Sequence, residues 1–446
     1  MLLSGGSNRQ SGYPKGLGKI LKRALIWIPT YIIAPFSVWI AGFVKNHNYS
    51  SKLKEMYREH DGYNPNVAFV IPCRNKEDTI YEVLGSIIGQ SYRPRKMKIM
   101  VTDDYSTDRS LGEILRFVED RLGRELTCER VSDNEELCRT NRGKGVNGTE
   151  IDFVLIKHLR YNLGKQRSLN KMISLIDERE YELTATIDAD TKLHPDWLKN
   201  AVKPHVDPNV VATFGWVHLW SEKSYGILKR AREFEYKYLN HMRRFFNPDS
   251  HWTMSGSNIL YKTEILKRYP IPEHMKENAA EDLLHTIELQ SRGYKIVFVP
   301  EAIAYSKEEL DWEGFVKQTT RWMKGGWYTL LEYVLPNDEI WKGLKRLHKL
   351  QIAAFLTLPY YLALINGSLI AGLITQDFKL LIWPTIDYLV FLGIAGYGYV
   401  KYRKYMEKPS IREVIGNYTV YYFLRNLTLI PYIKGFVEYR KLAGKS

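Results

Sequence analysis

The chain has 446 residues, of which 45% are apolar and 13% aromatic, and this composition excludes a wholly disordered protein. Its length allows one large domain with appendages, or roughly two to three domains of ordinary size. The 64 basic and 50 acidic residues give a net charge of +14, which favours an anionic partner: nucleic acid, an acidic membrane surface or a phosphorylated substrate.

The three cysteines, Cys73, Cys128 and Cys138, are odd in number and lack the C-x-x-C spacing. This pattern predicts neither a disulfide framework nor a zinc site. It favours a protein body that faces the reducing cytosol. The N-terminus lacks the pattern of a cleavable signal, because the first apolar run starts only near Ala24 and no clear cleavage site follows it.

The first apolar segment, residues 24–44, contains 21 residues without a charge. This length is sufficient to cross a hydrocarbon layer of about 30 Å, but Pro29 and Pro35 would kink such a helix. Flanking basic residues suit an interfacial or re-entrant helix equally well. The sequence therefore predicts a basic, membrane-associated segment over residues 1–63 and leaves its orientation open.

Between residues 64 and 348 short apolar runs alternate with amphipathic stretches. Four of these runs end in polar or acidic residues and are predicted to be strands: residues 67–72, 98–104, 152–158 and 183–190. Alternating strands and helices predict an α/β domain with a mainly parallel, doubly wound sheet. Ligands of such sheets bind beyond the carboxyl ends of the strands, so the residues that follow these runs are candidates for a site.

Polar side chains follow the first predicted strand. Pro72 closes this strand, and Arg74, Asn75 and Glu77 lie just beyond it. We expect these side chains at the same edge of the sheet as the residues that end the other strands.

Acidic residues follow two further strands: Asp103 and Asp104 end the second, and Asp188 and Asp190 end the fourth. Like charges at one edge of a sheet repel each other unless a cation lies between them. Asp188 and Asp190 would share a face, and hard oxygen ligands suit Mg²⁺ or Mn²⁺ rather than zinc. A lone D-x-D is common at solvated strand ends and helix caps, but the second acidic pair favours a metal site.

The turn in residues 162–170 precedes a helix-like run. Asn162 and Gly164 permit a tight turn, and Lys165 near the helix start would place a cation and free backbone N–H groups where a diphosphate could lie. The spacing is not that of a Walker A loop. An ordinary helix start explains the turn equally well.

An acidic pair, Glu281 and Asp282, begins a predicted helix whose apolar positions recur at helical spacing. Such acids are commonly helix caps, but Asp282 is also a candidate general base that takes a proton from a hydroxyl. His285 is interpreted as a packed or exposed helix residue rather than a ligand. Residues 121–148 are polar and contain glycine, which predicts an insertion or mobile loop without an assigned function.

The C-terminal region, residues 349–446, contains two long uncharged or nearly uncharged runs, 350–375 and 380–400. They are separated by a short polar turn and predict a transmembrane hairpin, with buried core helices as the alternative. The basic run that follows residue 400 is expected on the cytoplasmic side of the membrane, and so is the body of the protein before residue 350. The membrane is expected to be the plasma membrane. A further segment, residues 414–433, carries Arg425 and is predicted to be either an interfacial helix or a span.

Residues 317–327, KQTTRWMKGGW, place cations beside aromatic rings just ahead of this apolar region. An interfacial belt of tryptophan and arginine is one explanation. The alternative is a site that needs a cation and an aromatic ring side by side at a membrane surface.

Seven motifs stand in a familiar order: VIPCRNKEDTI, VTDDYSTD, NLGKQRSLN, TIDADTKLHPDWL, SGSNILYKTEIL, AEDLLHTIELQSRGYKIVFVPEA and KQTTRW. Together they resemble the membrane-integrated family 2 glycosyltransferases, a group that includes cellulose, chitin and hyaluronan synthases and the glucosylceramide synthases. The resemblance covers about residues 65–330. It implies a Rossmann-like GT-A domain with flanking membrane helices that uses a divalent cation, Mn²⁺ or Mg²⁺, in an inverting transfer from a UDP-sugar.

The resemblance also implies roles for individual residues. Asp282, with Glu281 beside it, is similar to the catalytic base, and Asp188 and Asp190 are similar to the carboxylates that bind the metal and the nucleotide sugar. The remaining positions that resemble nucleotide-sugar-binding residues are Pro72, Arg74, Asn75, Glu77, Asp104, Lys165, Gln318, Arg321 and Trp322.

The expected activity is extension of a β-linked polysaccharide from a UDP-sugar at a membrane. Three departures from the family pattern count against processive secretion: Ala280 replaces the usual threonine, few spans are present, and no gating loop is evident. The nearest alternative, transfer of one sugar to a lipid acceptor, fits the small number of spans nearly as well. A non-catalytic glycan-binding protein is a third possibility. Membrane lipid and a glycan or glycolipid are expected partners, nucleic acid is not, and a homo-oligomer is left open.

Overall fold

The computed structural model describes residues 63–140, 148–220, 226–236, 250–273, 280–308, 310–402 and 410–443. The predicted apolar segment at residues 24–44 lies outside the described residues, as does nearly all of the N-terminal segment predicted around it.

Strands and helices alternate through the first half of the described chain, as predicted. In order they are β1 (Val67–Cys73), α1 (Ile80–Ile88), β2 (Lys96–Asp103), α2 (Ser110–Phe117), β3 (Leu126–Ser132), β4 (Glu135–Thr140), β5 (Glu150–His158), α3 (Lys165–Ser174), β6 (Leu183–Ile187), β7 (Thr191–Leu193), α4 (Trp197–Val202) and β8 (Val210–Leu219).

The second half becomes largely helical after residue 306. Its elements are α5 (Ile227–Phe234), β9 (Asn258–Lys262), α6 (Thr263–Arg268), α7 (Glu281–Ser291), β10 (Lys295–Ser306), α8 (Trp312–Tyr328), α9 (Asp338–Gly343), α10 (Arg346–Thr375), α11 (Ile382–Tyr402), α12 (Ile411–Leu427) and α13 (Leu429–Ala443).

The described strands form one ten-stranded sheet in the order β3-β4-β5-β2-β1-β6-β9-β8-β10-β7. Its centre, β5-β2-β1-β6, is parallel, while β9 runs antiparallel to both of its neighbours and β4 antiparallel to β5. The α/β fold class is confirmed. The antiparallel additions were not predicted, because sequence periodicity identifies a strand without giving its neighbour or direction.

The central strands are buried on both faces, which explains their nearly continuous apolar sequences. In β1, Phe69 packs in the core cluster that contains Trp197 of α4, and Val70 packs in the cluster that contains Met172 of α3. Alternate residues of a strand thus bury helices on opposite sides of the sheet. The carboxyl ends of β1, β2 and β6 are held in register at one edge.

The predicted loop at residues 121–148 instead contains the hairpin β3–β4, which extends the sheet from β5. Cys128 lies opposite Cys138 in this hairpin, and the two form a disulfide with a Cα–Cα distance of 3.9 Å. The predictions of a loop and of no disulfide were therefore wrong. An odd cysteine count does not reveal that a hairpin places two of the three side by side, and the disulfide removes the cysteine-based argument for a reducing environment.

Two described helical segments, Arg346–Thr375 and Phe378–Tyr397, are long and apolar enough to cross a membrane. Only 22% and 24% of their apolar windows are buried inside the structure, so neither resembles the core helix of a soluble domain. The segment predicted as one helix at residues 414–433 is divided at Thr428 between α12 and α13.

Helix α13 packs tightly along α8. A Cβ atom at Gly435 would lie 2.8 Å from the Lys324 backbone nitrogen and 2.8 Å from the Met323 Cβ, so only glycine allows this approach. The apolar C-terminal helices are thereby attached to the helix that carries the KQTTRW motif.

Candidate active site

Four of the predicted site residues converge where β6 ends and α3 and α7 begin. The Lys165 ammonium lies 2.7 Å from the Asp188 carboxylate and 3.3 Å from that of Glu281, and Asp282 follows directly. Residues far apart in the chain meet here because β6 lies beside β1 and both helices start at the same edge of the sheet.

Charge balance sets the protonation of this cluster. Burial lowers the pKa of Lys165, but the carboxylates of Asp188 and Glu281 outweigh that effect and hold its pKa above the usual value. Burial raises the pKa of Asp188, as does repulsion by Asp190, while Lys165 acts in the opposite direction. The lysine is therefore a permanent cation between acidic groups.

A second lysine, which the sequence analysis did not single out, pairs with the other carboxylate of D-x-D. The Lys76 ammonium lies 2.6 Å from the Asp190 carboxylate and is partly exposed. Its signal was present in the sequence, since a cation inside the polar segment after β1 lies at the same sheet edge as the acidic pairs. Lys76 and Lys165 each neutralise one aspartate.

Asp282 has the environment of a general base. Its Oδ1 accepts a hydrogen bond from the Leu283 backbone N–H at 2.8 Å, and its Oδ2 accepts one from Gly256 at 3.3 Å. Burial and the nearby Glu281 raise the pKa of Asp282 to about 6, so the carboxylate is ionised and basic near neutral pH. Glu281 is engaged by Lys165, which leaves Asp282 as the more available base.

The start of α7 is unusual in its backbone. Ala280 adopts the left-handed conformation, with φ of 52°, immediately before the acidic pair. Strain at a non-glycine residue costs about 1–3 kcal/mol and is tolerated where the surroundings impose it, often at functional sites. The strained residue directs Glu281 and Asp282 into the cluster.

A small cavity lies beside Asp282 and is lined by Lys165, Gly256, Tyr261 and His285 among others. His285 donates from Nε2 to the Tyr269 carbonyl at 3.0 Å, so its Nδ1 accepts from the Tyr261 hydroxyl at 3.3 Å. Burial lowers the pKa of His285 to about 4, which keeps the ring neutral. The structure thus places His285 as a packed helix residue behind the base.

Asp104 holds the turn that carries Lys165. Its two carboxylate oxygens accept backbone N–H bonds from Leu163 at 2.7 Å and Gly164 at 2.8 Å, and His158 Nδ1 lies 2.6 Å away. Burial raises the pKa of Asp104, but these hydrogen bonds outweigh it and lower the pKa overall. His158 was not predicted, and the turn-holding role of Asp104 is additional to the nucleotide contact predicted for it.

The polar segment after β1 is tied to the loop after β2. Asn75, with φ of 52°, donates its N–H to Ser106 Oγ at 3.1 Å and accepts the Thr107 N–H at 2.9 Å. The Glu77 carboxylate accepts the Arg109 N–H at 2.8 Å. These bonds fix the two loops at the sheet edge as one polar surface.

The other two predicted residues of this segment make no such bonds in the described chain. Pro72 lies within β1, paired in register with Thr102, and Arg74 is exposed just beyond the strand.

The KQTTRW motif lies on α8. Gln318 accepts a 2.7 Å hydrogen bond from Arg232 of α5, and the guanidinium carbon of Arg232 lies 5.4 Å from the Trp322 ring centroid. Trp322 is 37% exposed and Arg321 is exposed. Among the described residues no hydrogen bond joins Arg321 to the acidic cluster, and Arg232 was not predicted.

Residues 148–325 match the family model described as "Glycosyltransferase like family 2". This part of the chain is similar to the family 2 glycosyltransferases. The predicted enzyme class, a glycosyltransferase, is confirmed.

Relatives of this glycosyltransferase domain are distant in sequence. The chain is 23% identical over 290 residues to "Probable glycosyltransferase YdaM" of Bacillus subtilis (strain 168), covering 62% of this chain and 59% of that protein. It is 24% identical over 268 residues to "Poly-beta-1,6-N-acetyl-D-glucosamine synthase" of Staphylococcus aureus (strain MSSA476), covering 59% of this chain and 55% of that protein. The matches thus span little more than half the length of these curated relatives.

A solved structure extends the likeness to nearly the whole chain. "Mannosyltransferase PcManGT from Pyrobaculum calidifontis in complex with GDP-Man and Mn2+" superposes with a TM-score of 0.51 at 18% identity. The alignment covers 92% of this chain and 99% of that one. At this identity the likeness concerns the fold alone, which is that of a GT-A glycosyltransferase.

The glycosyltransferase cluster fits a divalent metal by the chemistry of its donors. Asp188 and Asp190 offer hard carboxylate oxygens on partly exposed side chains. In the described residues, the one group of three metal-ligating side chains is Cys128, Glu136 and Cys138, whose sulfurs form the disulfide. A Mg²⁺ or Mn²⁺ ion at the two aspartates would therefore need oxygens from a bound diphosphate, as these ions commonly do.

Proposed function

We propose that the protein is a membrane-bound inverting glycosyltransferase that extends a β-linked polysaccharide from a UDP-sugar. The observation that carries the proposal is Asp282, a partly buried carboxylate with a pKa of about 6 beside a cavity and next to the cation–carboxylate cluster of Lys165 and Asp188. A base poised near neutral pH next to a cationic group is suited to deprotonate an acceptor hydroxyl while an anionic leaving group departs.

In the proposed reaction Asp282 takes the proton of the acceptor hydroxyl, and the acceptor oxygen forms a bond to C1 of the donor sugar. The bond from C1 to the diphosphate oxygen breaks on the opposite face, so the configuration at C1 inverts and a nucleoside diphosphate leaves with the bonding electrons. Lys165 and Arg321 would stabilise the charge that develops on it.

A divalent ion held by Asp188 and Asp190 would neutralise part of the diphosphate charge when bound. Two further residues are proposed to bind the acceptor: Trp322 stacks on the acceptor sugar and Gln318 orients it. The residues after β1 and β2, together with Asp104, are proposed to bind the nucleoside.

The printed names of the relatives guide the choice of donor. One is a poly-β-1,6-N-acetyl-D-glucosamine synthase, which supports a UDP-sugar donor such as UDP-N-acetylglucosamine and a polymeric product. The solved mannosyltransferase contains GDP-mannose and Mn²⁺, so GDP-mannose is the second donor and Mn²⁺ the first metal to test.

The apolar helices support a membrane location with the catalytic domain on the cytoplasmic side. The second half of α10, from Tyr360 onward, and helix α11 expose large apolar side chains. The described part of the chain contains two candidate spans. The alternative activity is transfer of a single sugar to a lipid acceptor.

The test is purification in detergent followed by measurement of nucleoside diphosphate release. UDP-sugars and GDP-mannose are each supplied with and without Mn²⁺ or Mg²⁺, and labelled product is sized and extracted with organic solvent. Metal-dependent release with a long product supports the polysaccharide synthase, and a lipid-extractable single-sugar product supports the alternative.

The matched control is Asp282→Asn, which preserves size and removes the base. We expect transfer to fall by about 10²- to 10⁴-fold, the range that general base catalysis contributes. Full activity of this variant, or no release from any donor by the parent protein, would refute the proposed function.

A further inference from the structure

Arg232 on α5 is fully buried between the catalytic sheet and α8, at 0% exposure. We infer that Arg232 is a positioning residue that sets the orientation of Trp322 and Gln318 toward the sugar acceptor. The inference rests on the proposed function, because it assigns the ring and the amide to acceptor binding.

The guanidinium of Arg232 closes a hydrogen-bonded triangle with Glu308 and with Gln318, the second residue of the KQTTRW motif. Its Nη2 donates to Gln318 Oε1 at 2.7 Å and lies 3.4 Å from Glu308 Oε2. Gln318 Nε2 in turn donates to the same Glu308 oxygen at 2.5 Å. The amide of Gln318 therefore has one orientation, with its oxygen toward Arg232 and its nitrogen toward Glu308.

The same guanidinium lies over three aromatic rings. Its central carbon lies 5.4 Å from the ring centroids of both Phe315 and Trp322 and 5.0 Å from that of Tyr236. Phe315 and Tyr236 are buried, whereas Trp322 remains 37% exposed. An exposed tryptophan on a helix has several rotamers available, and contact with a fixed cation favours one of them while leaving the rest of the ring open to a ligand.

Stability alone does not account for a buried arginine at this position. Its charge is compensated by Glu235, at 2.8 Å from Nη1, and by Glu308, but well-packed apolar residues often replace such buried ion pairs without loss of stability. The planar fork of arginine is suited to hold an amide by hydrogen bonds and a ring by stacking at the same time. Lysine has the charge without this geometry.

Helix α5 is itself anchored, so the backbone of Arg232 is held in place. The anchor is the buried Phe234, whose ring centroid lies 5.5 Å from that of Tyr418 of α12. The exposed Arg230 also donates from Nε to Asn417 at 2.8 Å, but water competes for a contact at the surface and the anchoring does not depend on it. The acceptor residues on α8 are thus connected through Arg232 and α5 to the apolar C-terminal helices. Arg230 lies two residues from Arg232 and has no contact with α8 among the described hydrogen bonds, which makes it a matched control.

The experiment compares Arg232→Lys with Arg230→Lys, using the donor that the full-length parent protein turns over in detergent. Two rates are measured: hydrolysis of that donor by water, and transfer to a short β-linked oligosaccharide of the same sugar. Arg232→Lys is expected to raise the KM for the oligosaccharide by about tenfold to a hundredfold, because a small misplacement of a positioning group has effects of this size. The rate of donor hydrolysis by Arg232→Lys should stay within about twofold of the parent rate. Both rates of Arg230→Lys should also stay within about twofold of the parent.

A double-mutant cycle with Trp322→Ala separates positioning from a general structural effect. If Arg232 acts through the ring, Arg232→Lys has little further effect on the oligosaccharide KM once the ring is removed. Arg232→Lys can be tested only if its melting temperature lies above the assay temperature. Glu308→Gln is therefore a second variant, which keeps the buried arginine and is also expected to raise the KM for the oligosaccharide.

The outcomes distinguish the two levels of inference. No nucleoside diphosphate release by the parent from any donor overturns the proposed function, and this inference with it. A parent that turns over, with an unchanged oligosaccharide KM in both Arg232→Lys and Glu308→Gln, overturns only the role of Arg232. The role is also overturned if Arg232→Lys reduces hydrolysis and transfer equally, and if its effect on transfer is additive with that of Trp322→Ala in the double variant.

Discussion

At the scale of single residues, two lysines of the site pair with three of its four carboxylates. Lys165 lies between Asp188 and Glu281, and Lys76 pairs with Asp190. Asp282 is left without a cation at hydrogen-bond distance in the described chain, and its pKa is raised to about 6. The same edge of the sheet therefore contains carboxylates that are suited to bind cations and a further carboxylate that is suited to act as a base.

The raised pKa of Asp282 predicts the acid limb of the pH profile. Since burial and Glu281 disfavour the charged form, the carboxylate is ionised above about pH 6 and becomes protonated as the pH falls through this value. We expect the transfer rate at saturating donor to fall about tenfold per pH unit below pH 6. Rates measured from pH 4.5 to 8 test this, and a flat profile across pH 6 would exclude Asp282 as the base.

Removal of the Lys165 cation is predicted to impair turnover of the donor. In Lys165→Met the carboxylates of Asp188 and Glu281 would face each other without compensation, and the diphosphate would lose a stabilising charge. We expect nucleoside diphosphate release to fall by about 10²-fold. Lys171→Met, on the same helix, removes only a partly exposed pair with Glu135 at 3.0 Å and should remain close to the parent. Equal activities of the two variants would contradict the assignment.

At the scale of elements, helices that look apolar in sequence share a buried polar contact. Asp387 of α11 accepts a 2.6 Å hydrogen bond from Arg425 of α12 and a 2.5 Å bond from the Tyr361 hydroxyl of α10. Asp387 is the one charged residue of the nearly uncharged run 380–400, and Arg425 was recognised in the segment 414–433. Their pairing explains how both charges are accommodated, and it ties three helices together.

Breaking this pair is expected to be more costly than removing it. Asp387→Leu leaves Arg425 buried without its carboxylate, and loss of one partner of a buried pair costs about 3–5 kcal/mol. The double variant Asp387→Leu/Arg425→Leu should be more stable than Asp387→Leu alone. Thermal unfolding in detergent measures both, with Thr385→Leu on the same helix as an exposed control. A double variant less stable than either single one would refute the explanation.

At the scale of the whole molecule, the catalytic sheet and the apolar helices share α8. Helix α13 packs along it through Gly435, and α5 connects it with α12 through Arg232 and Phe234. The proposed acceptor residues are therefore next to the surface where a membrane-delivered glycan or lipid would arrive. This arrangement is the structural basis for proposing a membrane acceptor.

Integral membrane association is predicted to withstand alkaline extraction. The exposed apolar surfaces of α10 and α11 would be stabilised in a bilayer and unfavourable in water. After expression we expect the protein to remain in the membrane pellet during washing with alkaline carbonate and to be released only by detergent. Release by carbonate alone would show that the two helices do not span the bilayer.

The sequence by itself determined the strands of the parallel centre, the apolar helices and the acidic positions at the strand ends. These features depend on local periodicity and on the residue types that end an element, and both can be recognised in a short stretch of chain. The seven motifs also indicated the enzyme class, which the family match confirms.

Only the tertiary structure decided which side chains are paired. Lys76 with Asp190, His158 with Asp104 and Arg232 with Gln318 join residues 54 to 114 positions apart. The disulfide depends in the same way on the register of the hairpin β3–β4. Such pairs follow from the order and direction of neighbouring strands and helices, and a periodic pattern in one segment contains no information about its neighbour in space.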